Sequence, residues 1–148
     1  MINGFGHLYS ETEQRVAKIR DVKTTGFVDS NELAKVTNRA IQLCILDLLL
    51  AAHRSKYETP LNKLPGVKAL HHKLLMKYKW PLSEISALSL SDIFVALHDE
   101  ITIESLEGQA KTYFSSLLAS AYPLAFTDFI NEEWDPNLSE RLLFDSKE

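Results

Sequence analysis

At 148 residues, with 45% apolar and 24% charged side chains, the chain has the make-up of one globular domain, 1–148, rather than of a disordered segment. Its single cysteine, Cys44, excludes an internal disulfide, and its longest apolar run, Leu43 to Ala52, is too short to cross a bilayer and contains Asp47. The net charge of −4 conceals a polarity: residues 59–83 hold five lysines and no acid, whereas residues 84–148 hold thirteen carboxylates against three bases.

The first ten residues have neither the basic nor the apolar region of a secretory signal, so a cytoplasmic location is expected. Ser10-Glu11-Thr12-Glu13 has the form of a capping box and predicts a first helix running to about Lys23. Glu11 and Arg15 are spaced there as an i,i+4 pair, and the thin apolar content places the helix at the surface.

Asp29-Ser30-Asn31-Glu32 predicts a second start, for a helix over residues 31–56. Leu33, Val36, Ala40, Cys44, Asp47 and Ala51 share one meridian, but from Ile41 onward apolar residues surround the axis. A helix apolar on all sides packs against several neighbours, so this one is read as the hub.

Pro65 is placed to open a third helix, with Val67, Leu70, His71, Leu74 and Tyr78 as its apolar stripe and Trp80-Pro81 as its stop. A short helix over 81–88 follows, then one of about ten residues from the Ser89/Asp92 cap through His98. Ile101-Thr102-Ile103 is a weak strand candidate. An amphipathic helix is predicted over Ile103 to Ala121, with Leu106, Ala110, Tyr113, Phe114, Leu117, Leu118 and Ala121 facing inward. Asp135-Pro136 opens a last helix through Phe144, after which the chain frays. The fold class is therefore all-α: an irregular bundle of six or seven helices around the helix 31–56.

Phosphate loops, nucleophile elbows and paired metal-binding cysteines are all missing from the sequence. None of His53, His71, His72 or His98 has an acid three residues before it, so no di-metal helix motif is formed, and neither a metal nor a cofactor is expected. Asp47, a carboxylate on an apolar meridian, must be paired or protonated. A structural role is expected for it; the competing enzymatic reading joins it to a histidine of another helix.

The segment with most promise is 126–137, where Phe129 and Trp134 alternate with Asp128, Glu132, Glu133 and Asp135. Aromatic anchors ringed by carboxylates suit the docking of a basic partner. The leading expectation is a non-catalytic, protein-binding module with an acidic surface. A bacterial immunity protein or inhibitor that neutralises a nuclease-type toxin is one concrete version. The alternative is nucleic-acid binding through the basic stretch Lys63 to Lys79, by Lys68, Lys73, Lys77 and Lys79. Five lysines without an arginine, in an otherwise acidic chain, make nucleic acid the less expected partner.

Overall fold

The computed structural model describes residues 2–145, so the expected fraying of the last residues lies outside the described part. Seven α-helices occur there: α1 (Phe5–Ile19), α2 (Ser30–Tyr57), α3 (Val67–Tyr78), α4 (Leu82–Ser86), α5 (Leu90–Ala96), α6 (Gly108–Ser120) and α7 (Leu138–Leu142). Two-residue strands β1 (Ile2–Asn3) and β2 (Phe144–Asp145) pair antiparallel and bring the two ends of the described chain together. The chain is all-α, as its periodicity indicates, and among the described residues no helix is long and apolar enough to cross a membrane.

Helix α2 is the hub because its apolar residues serve two cores on different sides. Val36, Leu43, Leu46 and Leu50 join Leu70 and Leu74 of α3, Ile85 of α4 and Ile93, Phe94 and Leu97 in and after α5. Ala40, Ile41, Cys44, Ile45 and Leu48 join Leu8 and Tyr9 of α1, Ala110 and Phe114 of α6 and Leu138 of α7. The helix starts where the sequence places it. The Asp29 carboxylate accepts from the backbone N–H groups of Asn31 (3.0 Å) and Glu32 (3.3 Å), satisfying two donors that the first turn leaves open. Asp29→Ala is expected to lower stability by about 1 kcal/mol in urea denaturation, with Asp29→Asn close to neutral.

Several expectations need correction. Helix α1 begins at Phe5, not after Ser10, and it is not a surface helix: Leu8, Tyr9, Thr12, Val16 and Ala17 are buried. Gly4 sets the start. Its φ of 90° is open to glycine, and a Cβ there would overlap the Leu142 carbonyl. The rings of Phe5 and Tyr9 then pack against Tyr113 and Phe114, at centroid separations of 5.3–6.3 Å. Glu11 sits beside His7 rather than Arg15.

Helix α3 keeps Leu70, Leu74 and Tyr78 of the predicted stripe against the core, but Val67 at its start is exposed and Ala69 is buried in addition. The helix predicted from Ile103 begins at Gly108, because Ile103–Ser105 is a 3-10 turn and Leu106 is extended so that its side chain enters the second core. No strand forms at Ile101–Ile103. The last helix, opened at Asp135-Pro136 in the sequence reading, is the single short segment α7, which leads into β2.

Candidate functional site

The acidic, aromatic segment 126–135 folds back over α1 and α2, where arginines take up its carboxylates. Glu133 is the most deeply placed, with a side chain fully excluded from solvent. Its Oε1 accepts from Arg39 (2.9 Å), Arg20 (3.0 Å) and the backbone N–H of Ile130 (2.8 Å). Arg20 also donates to the Asp128 carboxylate at 2.7 Å and holds that carboxyl below its usual range. The Arg39 guanidinium lies over the Phe129 ring at 3.9 Å and donates to the carbonyls of Phe126 and Asp128. Arg15 reaches Asp135 at 3.4 Å.

Trp134 turns inward and donates its indole N–H to Asp47 Oδ1 at 2.8 Å. The hydrogen-bond partner of Asp47 is thus a tryptophan, not the histidine that an enzymatic reading had joined to it. Of the six residues expected to meet a partner, Glu132 alone has an exposed carboxylate outside these contacts. The signal for this arrangement was present as Arg15, Arg20 and Arg39, all N-terminal to the lysine-rich stretch.

That stretch is also partly neutralised. Lys73 binds Glu100 at 2.8 Å, and Lys77 binds Asp99 at 2.6 Å and Glu100 at 3.0 Å. Burial acts to raise the Glu100 carboxyl, but the two lysines outweigh it and hold it below its usual range. Lys68 and Lys79 are exposed at the two ends of α3, and Lys63 is exposed in the loop before it. His98, Asp99 and Glu100 do not converge: the two acids face the lysines, and His98 lines a concavity with Phe94 and Val95 of α5. Among the described residues no three His, Cys, Asp or Glu side chains come close enough to hold a metal ion.

An extensive recess is one the sequence did not suggest. A groove of about 530 Å³ runs along α2, floored by Ile41, Ile45 and Asn38 and walled by Ile101, Ile103 and Glu104 on one side. Leu118 and Ala119 of α6 and the stretch Pro123-Leu124-Ala125 form the other wall. Gln42 and Ile101 also line a second concavity of about 280 Å³, bounded by Phe94, Val95, His98 and Phe129, so the two recesses adjoin. Val95 and Leu118 are 75% and 44% exposed, large apolar side chains left open along the same face.

Asn38 organises this floor. Its Nδ2 donates to the carbonyls of Tyr122 (2.8 Å) and Leu124 (2.7 Å), which ties the far wall to α2. Those two bonds fix the amide orientation and leave Oδ1 buried without a hydrogen-bond partner, an arrangement that costs about 1–3 kcal/mol. The groove residues were legible as isoleucines and leucines, but Leu118 was read as facing the core. Among the described residues neither recess is lined by a lysine or arginine, and Glu104 is the single acid that lines them. Such a surface is suited to binding apolar side chains accompanied by a cation. The chain matches no protein-family model, no curated protein and no solved structure.

Proposed function

We propose that this chain is a non-catalytic module that binds another protein through the groove along α2. The partner segment is apolar on one face, seats two or three large side chains between α5 and α6, and presents a lysine or arginine to Glu104. The observation that carries this reading is the pair of adjoining apolar recesses with exposed rims and no cation in their walls. Basic partner chemistry is retained from the sequence reading, but its anchor is moved. Asp128, Glu133 and Asp135 are engaged by arginines, whereas Glu104, Glu107 and Glu132 are exposed and form no ion pair among the described residues. An inhibitor or immunity protein laid against a cationic toxin surface is one form such a partner complex takes. Nucleic-acid binding has less support, because two of its four lysines are held by Glu100 and Asp99.

The reading is tested with a photo-crosslinking side chain at position 118, and another at position 27 in the exposed loop before α2 as a control. Position 118 is expected to capture a partner whose cross-linked peptide is apolar and basic. Leu118→Asp and Glu104→Lys are each expected to weaken capture about tenfold or more, the loss of roughly 1.4 kcal/mol of binding. Both side chains are open to solvent, so thermal stability changes by no more than about 0.5 kcal/mol. Equal capture from positions 118 and 27, or capture indifferent to both substitutions, removes the groove as the binding site.

A further inference from the structure

His53 of α2 and His72 of α3 meet through His53 Nε2 and His72 Nδ1, 2.8 Å apart. The ring centroids are 5.0 Å apart. That separation exceeds the nitrogen–nitrogen distance by about the two ring radii, so the two nitrogens point at each other along one line. Such collinearity fits an N–H···N hydrogen bond, and not two ligands converging on a metal ion from different directions. A neutral imidazole carries one N–H and one lone pair, so this bond holds a single proton. One added proton makes an imidazolium that still donates to its neutral neighbour; protonating both rings places two donors nose to nose and two like charges at hydrogen-bond distance.

We propose that the His53–His72 bond is a proton-operated latch that fastens α3 to the C-terminal half of α2 and opens on acidification. The surroundings leave the second charge unmatched. Lys56 and Tyr57 of α2 and Lys73 of α3 lie nearest, and the one facing carboxylate, Glu100, is already shared by Lys73 and Lys77. His53 is 7% exposed. Burial, then the neighbouring His72 and Lys73, push its pKa down to about 4. A histidine whose folded value lies below its unfolded value of about 6.5 contributes stability above that pH, and loses it as pH falls toward 4. What the latch holds down is the buried face of α3, namely Ala69, Leu70 and Leu74. Opening therefore uncovers apolar surface on α2 and α3 together.

The test is amide hydrogen exchange on the full chain at neutral pH and near pH 4.5, corrected for intrinsic rates. Amides of α3 are expected to lose about tenfold or more of their protection in acid, the equivalent of one pKa unit of differential protonation, while those of α1 and α6 keep theirs. His53→Gln is expected to abolish the difference, and His71→Gln, its neighbour on α3, to retain it. Imidazole nitrogen shifts of the unaltered protein give a readout that needs no variant: one proton shared along the pair at neutral pH, and its loss in step with the exchange of α3. Unchanged protection of α3, equal loss in all helices, an acid response surviving His53→Gln, or two imidazoles titrating independently would each overturn the latch.

Discussion

Glu133→Ala is expected to destabilise the protein by about 3–5 kcal/mol, the range for removing one partner of a buried ion pair. Arg39 is 1% exposed, and among the described residues Glu133 is the one carboxylate it donates to. Without it, the guanidinium stays buried with two carbonyls, the Gln42 amide oxygen and an aromatic face for company. Arg20 keeps Asp128, so the loss falls mainly on Arg39. The Ile130 N–H also loses its acceptor. Since a domain is stable by roughly 5–15 kcal/mol in total, the variant sits near its unfolding threshold.

Glu133→Gln keeps an acceptor for Ile130 and fits the same space, so its cost is expected to be intermediate. The pair is separated from its surroundings by a double-mutant cycle in urea: Glu133→Leu with Arg39→Met recovers much of what either change loses alone. A single-variant effect below about 1 kcal/mol, or strict additivity in the cycle, contradicts the buried-pair account. The clamp also bears on binding. It fastens the segment that includes Phe126 and Phe129, and Phe129 is a wall of the second recess, so Glu133→Gln is expected to weaken groove binding more than its exposed neighbour Glu132→Gln does.

Where a structural signal was local, the sequence carried it. The Asp29 cap and the Ser89/Asp92 capping box set the starts of α2 and α5 through contacts two or three residues long. The largely apolar character of residues 41–50, on every side of the helix, announced a helix covered on several sides, which the two cores on α2 explain. Where the deciding contact was distant, pattern misled. Ser10 and Glu13 imitate a cap, yet α1 starts six residues earlier because Phe5 and Tyr9 have Tyr113 and Phe114 to pack on. Helical spacing from Ile103 ignores that Leu106 fills a core better as extended chain.

The same limit governs the site. Glu133 meets Arg39 across 94 positions and Arg20 across 113, and nothing in residues 126–137 says that these carboxylates point inward. The groove is assembled from α2, the turn after α5, and α6 with the stretch following it, so it has no motif in any single segment. Asp47 is the instructive case between these extremes. Its place on an apolar meridian showed that a partner or a proton was required, and the partner proved to be Trp134, 87 residues away.

Asp47→Asn is expected to stabilise the protein at neutral and alkaline pH, by an amount that shrinks in acid. The carboxyl is 2% exposed, and burial pushes its pKa from 3.8 to about 7 against the opposing pull of the Trp134 hydrogen bond and Arg54; the nearby Asp135 adds to the rise. A group whose folded value is raised contributes its full stability below the unfolded value and loses it as pH climbs to the folded one. Between pH 4 and 7 the wild-type protein therefore pays about 1.4 kcal/mol per unit, with a ceiling of about 4 kcal/mol.

Asparagine does not titrate. Its Oδ1 still accepts from Trp134, and the Ser139 hydroxyl, which is buried beside the carboxyl without a well-formed hydrogen bond, is available to the new amide. Unfolding free energies of the two proteins measured from pH 4 to 8 should diverge upward through this window, reaching a gap on the order of 2–4 kcal/mol. Parallel curves would sink the assignment. His53 acts with the opposite sign over an overlapping range, so the two effects partly mask each other in the unaltered chain. With the Asp47 titration removed, the contribution of His53, joined by that of His71, whose pKa burial also lowers, comes to the fore: stability of Asp47→Asn should fall as pH drops from about 6.5 toward 4, with the loss concentrated in α3.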